Sequence, residues 1–240
     1  MKTRSSVYIF AACLAAAPHL FSQSLSGTVV GADTGAPIQG ATVVAVQATT
    51  STAEKPVVYQ SSLGAGGGFT MTASPGTYRI CVGGADLYLD PCTWGGAQSV
   101  TVSAAGASSV SLKLAKGGRF LLRVRDPQQF LQQLSTRYNQ GIAVWVTGAP
   151  AGQFPLPQIS QESGITYYGG LLPINVPLSV SVSSGHVSFT DQTGAAISSQ
   201  GIGFQVADLA AQAAALRSAF SAMFPPPQAT VVDVVAAGIQ

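Results

Sequence analysis

The chain has 240 residues, only 8% of them charged, and its 11 Lys and Arg against 9 Asp and Glu give a formal charge of +2. Average globular proteins carry about 25% charged residues, so this composition excludes a charge-rich disordered chain, and near-neutrality excludes the electrostatic footprint of nucleic-acid binding. The polar surface must come from Ser, Thr, Gln and Gly, which suits β-structure with many turns in a chain long enough for one large or two small cores.

Lys2 and Arg4 precede an apolar run at residues 7–17, and small residues follow, which is the order of a secretory signal over residues 1–24. The run is shorter than the roughly 20 apolar residues a bilayer helix needs. Pro18 disfavours cleavage after Ala17 and moves the expected site to residues 22–24. An alternative lipoprotein reading uses Cys13 after Phe10, Ala11 and Ala12, behind a very short apolar run. No later stretch is an uninterrupted membrane segment, since even residues 230–239 are broken by Asp233. The expected product is exported, either secreted or in the cell envelope, with no integral membrane segment.

Residues 25–30 and 41–46 are short β-branched-rich runs, separated by the turn chemistry of Asp33, Gly35 and Pro37. Shorter strands are expected at residues 69–71 and 78–82, with Pro75 and Gly76 as the turn between them. Residues 100–102 and 110–114 complete the set, and in the last Val110, Leu112 and Leu114 alternate with Ser109, Ser111 and Lys113, the pattern of a half-buried strand. Some seven short strands between residues 25 and 115 predict a β-sandwich.

Export makes the cysteines informative. Beyond Cys13 only Cys81 and Cys92 remain, and an even pair in an oxidising compartment reads as a disulfide. Gly83, Gly84 and Pro91 let the segment between them fold back, and a closed loop of this size contributes roughly 2 to 3 kcal/mol in the chain-entropy model. A metal-thiolate pair would need further Cys or His ligands. The only histidine beyond the leader, His186, is far along the chain.

Gly-Thr-Val-Val from Gly27, Thr-Gly-Ala-Pro-Ile-Gln-Gly-Ala-Thr-Val from Thr34, the Gly68-Phe69 pair, and Pro-Gly-Thr-Tyr-Arg-Ile-Cys-Val from Pro75 together resemble the carboxypeptidase regulatory-like domain. The resemblance covers residues 25–115 and implies a transthyretin-like sandwich, in a grouping also called carbohydrate-binding-like. It implies a non-catalytic module often found in exported bacterial proteins. The zinc-binding peptidase domain is a separate unit whose paired histidine and glutamate ligands have no counterpart here. Nor is there the Lys-Asn pair of collagen-adhesin-type relatives, since no asparagine precedes Asn139.

Residues 116–118 read as a linker, and residues 119–240 as a second β-rich domain. Three echoes suggest a diverged copy: residues 141–146 of 40–45, residues 164–167 of 68–71, and residues 173–182 of 75–82. Residues 120–124 read as a strand, and Asp126-Pro127 as the start of a short helix near residues 127–137. A C-terminal helix is expected over residues 208–224, where Leu209, Ala213, Leu216, Phe220 and Met223 share a face and Pro225 stops it. The overall expectation is a mainly β chain of two tandem antiparallel sandwiches with these two helices.

Candidate chemistry is sparse. His186 with Asp191 lacks a nucleophile elbow, and Glu54 and Glu162, the only glutamates, each sit alone in a loop. The glycines at 64 and 66–68 lead into a strand, whereas a phosphate cradle leads into a helix. Asp86 and Asp90 supply too few oxygens for calcium. No enzyme, metal site or cofactor is indicated. The candidate ligand-binding residues are the aromatics Tyr88 and Trp94 at the cysteine loop, because exposed aromatics stack on sugars or anchor protein contacts. Trp145, in an apolar run, reads as core, with Tyr167 and Tyr168 nearby. The function expected is a non-catalytic structural or interaction module with a protein or glycan partner at the cell surface; the alternative is a carbohydrate-binding module.

Overall fold

A computed structural model of the protein describes residues 22–49, 55–104, 108–133, 141–148, 152–198, 200–209 and 229–239. The first half forms β1 (Gln23–Gly31), β2 (Thr42–Gln47), β3 (Val58–Ser62), β4 (Gly68–Ala73), β5 (Gly76–Gly83), the short helix α1 (Pro91–Trp94), β6 (Gln98–Val102) and β7 (Ser108–Leu114). They make a three-stranded sheet, β4-β1-β7, and a four-stranded sheet, β3-β2-β5-β6. Alternate residues of each point inward, as the two-residue period of a strand requires. Leu25, Val29, Val43, Ala45, Ile80 and Leu112 meet there in one buried cluster.

The turn motifs now have physical roles. Gly35 takes a positive φ of 67°, and its N–H donates to the Gly31 carbonyl at 2.9 Å, closing the turn after β1. Behind Pro75-Gly76, Tyr78 is wholly buried and donates its hydroxyl to the Ser74 carbonyl at 2.7 Å. Burial raises the Tyr78 pKa above its ordinary value, so the ring enters the core as a neutral phenol with its one donor satisfied.

The second half forms β8 (Gly117–Arg125), β9 (Ala143–Gly148), β10 (Gly152–Pro155), β11 (Gln158–Glu162), β12 (Ile165–Pro173), β13 (Pro177–Ser183), β14 (Val187–Thr190), β15 (Ile202–Gln205) and β16 (Thr230–Ile239). The sheets are β11-β12-β8-β16-β14 and β10-β9-β13-β15. Leu122, Val124, Val144, Val146, Leu172, Val180, Phe189 and Val234 belong to a second buried cluster.

The second pair of sheets reproduces the strand order of the first. β12-β8-β16 matches β4-β1-β7, with the central strand antiparallel to one neighbour and parallel to the other in both. β10-β9-β13-β15 matches β3-β2-β5-β6, antiparallel throughout. The three sequence echoes fall on equivalent strands: β9 on β2, β12 on β4, and β13 on β5. β11 and β14 are additions at the edges of the larger sheet.

Several boundaries differ from those the sequence predicts. β8 begins at Gly117, so Gly117 and Gly118 of the expected linker are already paired with Pro173 and Leu172. The turn of helix after Asp126 occupies residues 130–133, not 127 onward. Gln129 adopts a φ of 59°, and the Asp126 carboxylate reaches past it to accept from the Phe130 and Leu131 amides, each at 2.8 Å. The remainder of that helix, residues 134–137, lies outside the described residues, as do most of the expected helix at 208–224 and residues 1–21 of the leader. No helix among the described residues is long and apolar enough to cross a membrane.

Candidate functional site

The Cys81 to Cys92 segment joins the two halves. The cysteines form a disulfide between β5 and α1, with Cα atoms 5.1 Å apart. Asp90 starts α1 from an extended conformation: its Oδ1 accepts from the Cys92 amide at 2.9 Å, and its Oδ2 accepts from the Thr93 hydroxyl at 3.0 Å. Pro91 follows at the first helical position, where its missing N–H costs nothing. Arg79 donates through Nη2 to the Cys92 carbonyl at 2.7 Å, which ties the loop back to β5.

Residues 87–89 then pair with the crossing segment. Leu89 N donates to the Ala115 carbonyl at 2.9 Å, Gly117 N to the Leu87 carbonyl at 2.8 Å, and Tyr88 and Lys116 form an antiparallel bridge. The absence of a side chain at Gly117 admits the loop, since a Cβ there would lie 2.7 Å from Leu89 Cδ2. Leu89 and Trp94 are thereby delivered into the second buried cluster, although both precede β8 in sequence. The Trp94 ring lies 5.2 Å from that of Phe154 on β10, tilted by 51°.

The two candidate ligand-binding residues, Tyr88 and Trp94, line a cleft beside the loop rather than standing out from the surface. Trp94 is 7% exposed. Tyr88 is partly buried against the first cluster, its hydroxyl so close to Gly31 that a Cβ there would fall 2.5 Å away. What remains open is a cleft of about 330 Å³ beside the loop, between Gly83, Gly84 and Asp86 on one side and Phe154 and Leu171 on the other.

The remaining polar candidates also have positions. One ligand atom each from Cys81, Asp90 and Cys92 lies within 4.8 Å of the other two, but the sulfurs are bonded to each other and the carboxylate caps α1. His186 sits in the turn between β13 and β14, its backbone N–H donating to Ser184 Oγ at 3.4 Å. Asp191 closes the next turn: Oδ1 accepts from Thr193 N at 2.8 Å, Thr193 Oγ1 at 2.7 Å and Ala195 N at 3.0 Å. The Thr193 hydroxyl is the main cause holding the Asp191 pKa below its ordinary value. On the outer face of the five-stranded sheet, Asp233 is buried and accepts from Arg123 Nε and Gln192 Nε2, each at 2.7 Å, with Arg125 Nε at 3.5 Å. This pairing raises the Arg123 pKa and clamps β16 to β8.

Sequence reasoning missed three participants. Leu89 carries no motif, and Phe154 lies in a strand too short to stand out. The Asp90 cap was findable, because Asp-Pro ahead of a small polar residue is a helix-start signal. Trp145 is the further difference: its neighbours Val144 and Val146 enter the core, while Trp145 faces outward and is only partly buried.

Fold and joint together define a mainly β chain of paired antiparallel-rich sheets with two cores and a disulfide-closed loop reaching from one into the other. No protein-family model and no curated protein matches the sequence. Among solved structures the chain is similar to the minor pilin of the gram-positive pathogen Streptococcus agalactiae, at 12% identity over 91% of this chain and 97% of that one, with a TM-score of 0.36. It is similar to a DUF3823 family protein from Bacteroides uniformis, at 15% identity over 76% of this chain and 95% of that one, TM-score 0.31. The Bacillus anthracis TIE protein is matched at 10% identity over 90% of this chain, TM-score 0.32, and the chain spans only 33% of that protein's length.

Proposed function

We propose that the protein is a non-catalytic structural or interaction module of the cell envelope or extracellular space, built as two tandem sandwiches of one topology held as a unit. The observation that carries this reading is the disulfide-closed loop that places Leu89 and Trp94 of the first half in the core of the second. A structural disulfide persists in oxidising compartments and not in the cytosol. Here it constrains the segment that joins the halves, which is where a load-transmitting or spacing module needs stiffness. The repeated topology supports descent of both sandwiches from one duplicated unit, with residues 25–115 as the regulatory-like half.

The test is fractionation of producing cells with intact-mass measurement of the chain. The reading expects an extracytoplasmic product cleaved at residues 22–24 that shows no reactive thiol at Cys81 or Cys92 when unfolded without reductant. A cytoplasmic product that retains Met1 and titrates both thiols overturns it.

A further inference from the structure

The outer face of the sheet β10-β9-β13-β15 sets one tryptophan among small, uncharged polar side chains. Across it the outward positions are Ala143, Trp145 and Thr147 on β9, and Ser179, Ser181 and Ser183 on β13, because Val144, Val146, Leu178, Val180 and Val182 fill the opposite, core-facing positions. Register pairs Trp145 directly with Ser181 on one side and Pro155 on the other, with Thr147 opposite both Ser179 and Gln153. On β15 the outward positions are Gly203 and Gln205. No Asp, Glu, Lys or Arg occupies an outward position of these four strands.

The polar groups of this face are available. None of its Ser, Thr or Gln side chains is hydrogen-bonded to another part of the protein among the described residues, nor is the Trp145 indole N–H. Among the described residues no buried side-chain nitrogen or oxygen lacks a partner, so that N–H reaches solvent. Beside Trp145 a groove of about 310 Å³ continues the face over Pro155 and Gln158 to Tyr168. Tyr168 is 6% exposed, yet its hydroxyl has no protein partner among the described residues. Burial without a partner pushes the Tyr168 pKa up. Tyr168 lines the groove, and because no wholly enclosed polar side-chain atom lacks a partner among the described residues, its hydroxyl keeps access to solvent. A nearly buried donor left unpaired by its own protein is one of the few groups whose cost a ligand can remove.

From this juxtaposition we propose that the face centred on Trp145, together with the adjoining groove that ends at Tyr168, binds an uncharged glycan chain. The indole offers a π-face to the C–H face of a pyranose ring. Alternate residues on β9 and β13 lie about 6.6 to 6.8 Å apart and neighbouring strands about 4.8 Å apart, a grid of hydroxyls and amides on the scale of successive sugar hydroxyls. The absence of charge selects against phosphates, nucleic acids and acidic polymers, because nothing on the face neutralises an anion. The site is distinct from the disulfide loop, and it rests on the reading of the chain as a non-catalytic interaction module by naming that module's partner class.

Affinity gel electrophoresis of the full chain in soluble dextran, xyloglucan, galactomannan and hydroxyethylcellulose tests this, with polygalacturonate as the anionic comparison. At least one neutral polymer should retard the protein. Trp145→Ala should weaken binding by about tenfold or more, the scale of a lost aromatic stack, and Tyr168→Phe by a smaller factor. Ser181→Glu, a surface change that leaves both cores intact, should abolish retardation by placing a buried charge under the sugar. Ser109→Ala on the first sandwich should migrate as the parent does. The proposal fails if no neutral polymer retards the chain, if Trp145→Ala and Ser181→Glu are retarded as the parent is, or if only polygalacturonate retards it. It also fails if the Trp145 face is covered by a second copy, shown as a dimer that Trp145→Ala converts to monomer. Any of these outcomes overturns the platform and leaves the export and thiol test to stand or fall by itself.

Discussion

Replacing Trp94 by Ala separates a loop residue from a core residue. Trp94 precedes β8 and has polar or small neighbours in Thr93 and Gly95, but it is 7% exposed and its ring is 5.2 Å from Phe154. A buried tryptophan removes about 150 to 250 Å² from water, which at about 25 cal/mol per Å² corresponds to roughly 4 to 6 kcal/mol. Measured truncations of buried aromatics to Ala cost about 3 to 5 kcal/mol, and the lower range applies because the open cleft beside the loop lets the site relax. Urea unfolding followed by peptide-resolved hydrogen exchange is the assay. Expected is a loss of about 3 to 5 kcal/mol, read as a midpoint lower by roughly 1 M or more, with protection falling in β8, β10 and β12. A Trp94→Ala, Phe154→Ala double-mutant cycle should return a coupling of about 0.5 to 1.5 kcal/mol. A loss below about 1 kcal/mol, or faster exchange confined to residues 23–83, would refute the assignment of Trp94 to the second core.

Cys81→Ser with Cys92→Ser should destabilise the protein by about 2 to 3 kcal/mol, the loop-closure entropy of a ring this small, and should raise exchange at Leu89 and Gly117; calorimetry with exchange mapping reads both. Gly27→Ala should be more disruptive than a usual glycine change, because the new Cβ would fall 2.1 Å from the Val110 carbonyl oxygen and 2.8 Å from the Phe69 ring; separation of β1 from β7 should lower stability by about 1 to 3 kcal/mol or more in chemical denaturation. Asp191 has a folded pKa below its ordinary value of 3.8, so its contribution is present above that value and is lost as pH falls through the folded pKa. Asp191→Asn should therefore show a smaller drop in Tm than the parent on acidification below about pH 4, and an identical acid limb would refute the role of the 191–195 turn.

Strand existence was legible wherever one face was apolar and the other polar. In β7 Val110, Leu112 and Leu114 are buried and the intervening Ser109, Ser111 and Lys113 are exposed, as the alternation predicts. β3 and β11 escaped notice because they are edge strands with little inward apolar content; every residue of β11 is exposed. The disulfide was legible because only one cysteine pair lies beyond the expected leader, and the structure joins it. The strand at Trp145 was legible but its faces were not. Ile142, Val144, Trp145 and Val146 are apolar on both sides of the alternation, so periodicity cannot say which side is covered.

The sequence by itself therefore determined the mainly β class, the turn positions, the cysteine pairing and the echo between halves, all properties of short windows or of composition. Only the tertiary structure decided that the echo is a repeated strand order, that Asp90 caps a helix inside the disulfide loop, and that Trp94 is buried while Trp145 is not. The reason is common to all three: which side of a residue is covered depends on partners far away in the chain. Phe154 buries Trp94 from sixty positions on, and the core takes up the valines on either side of Trp145 and leaves the indole facing out.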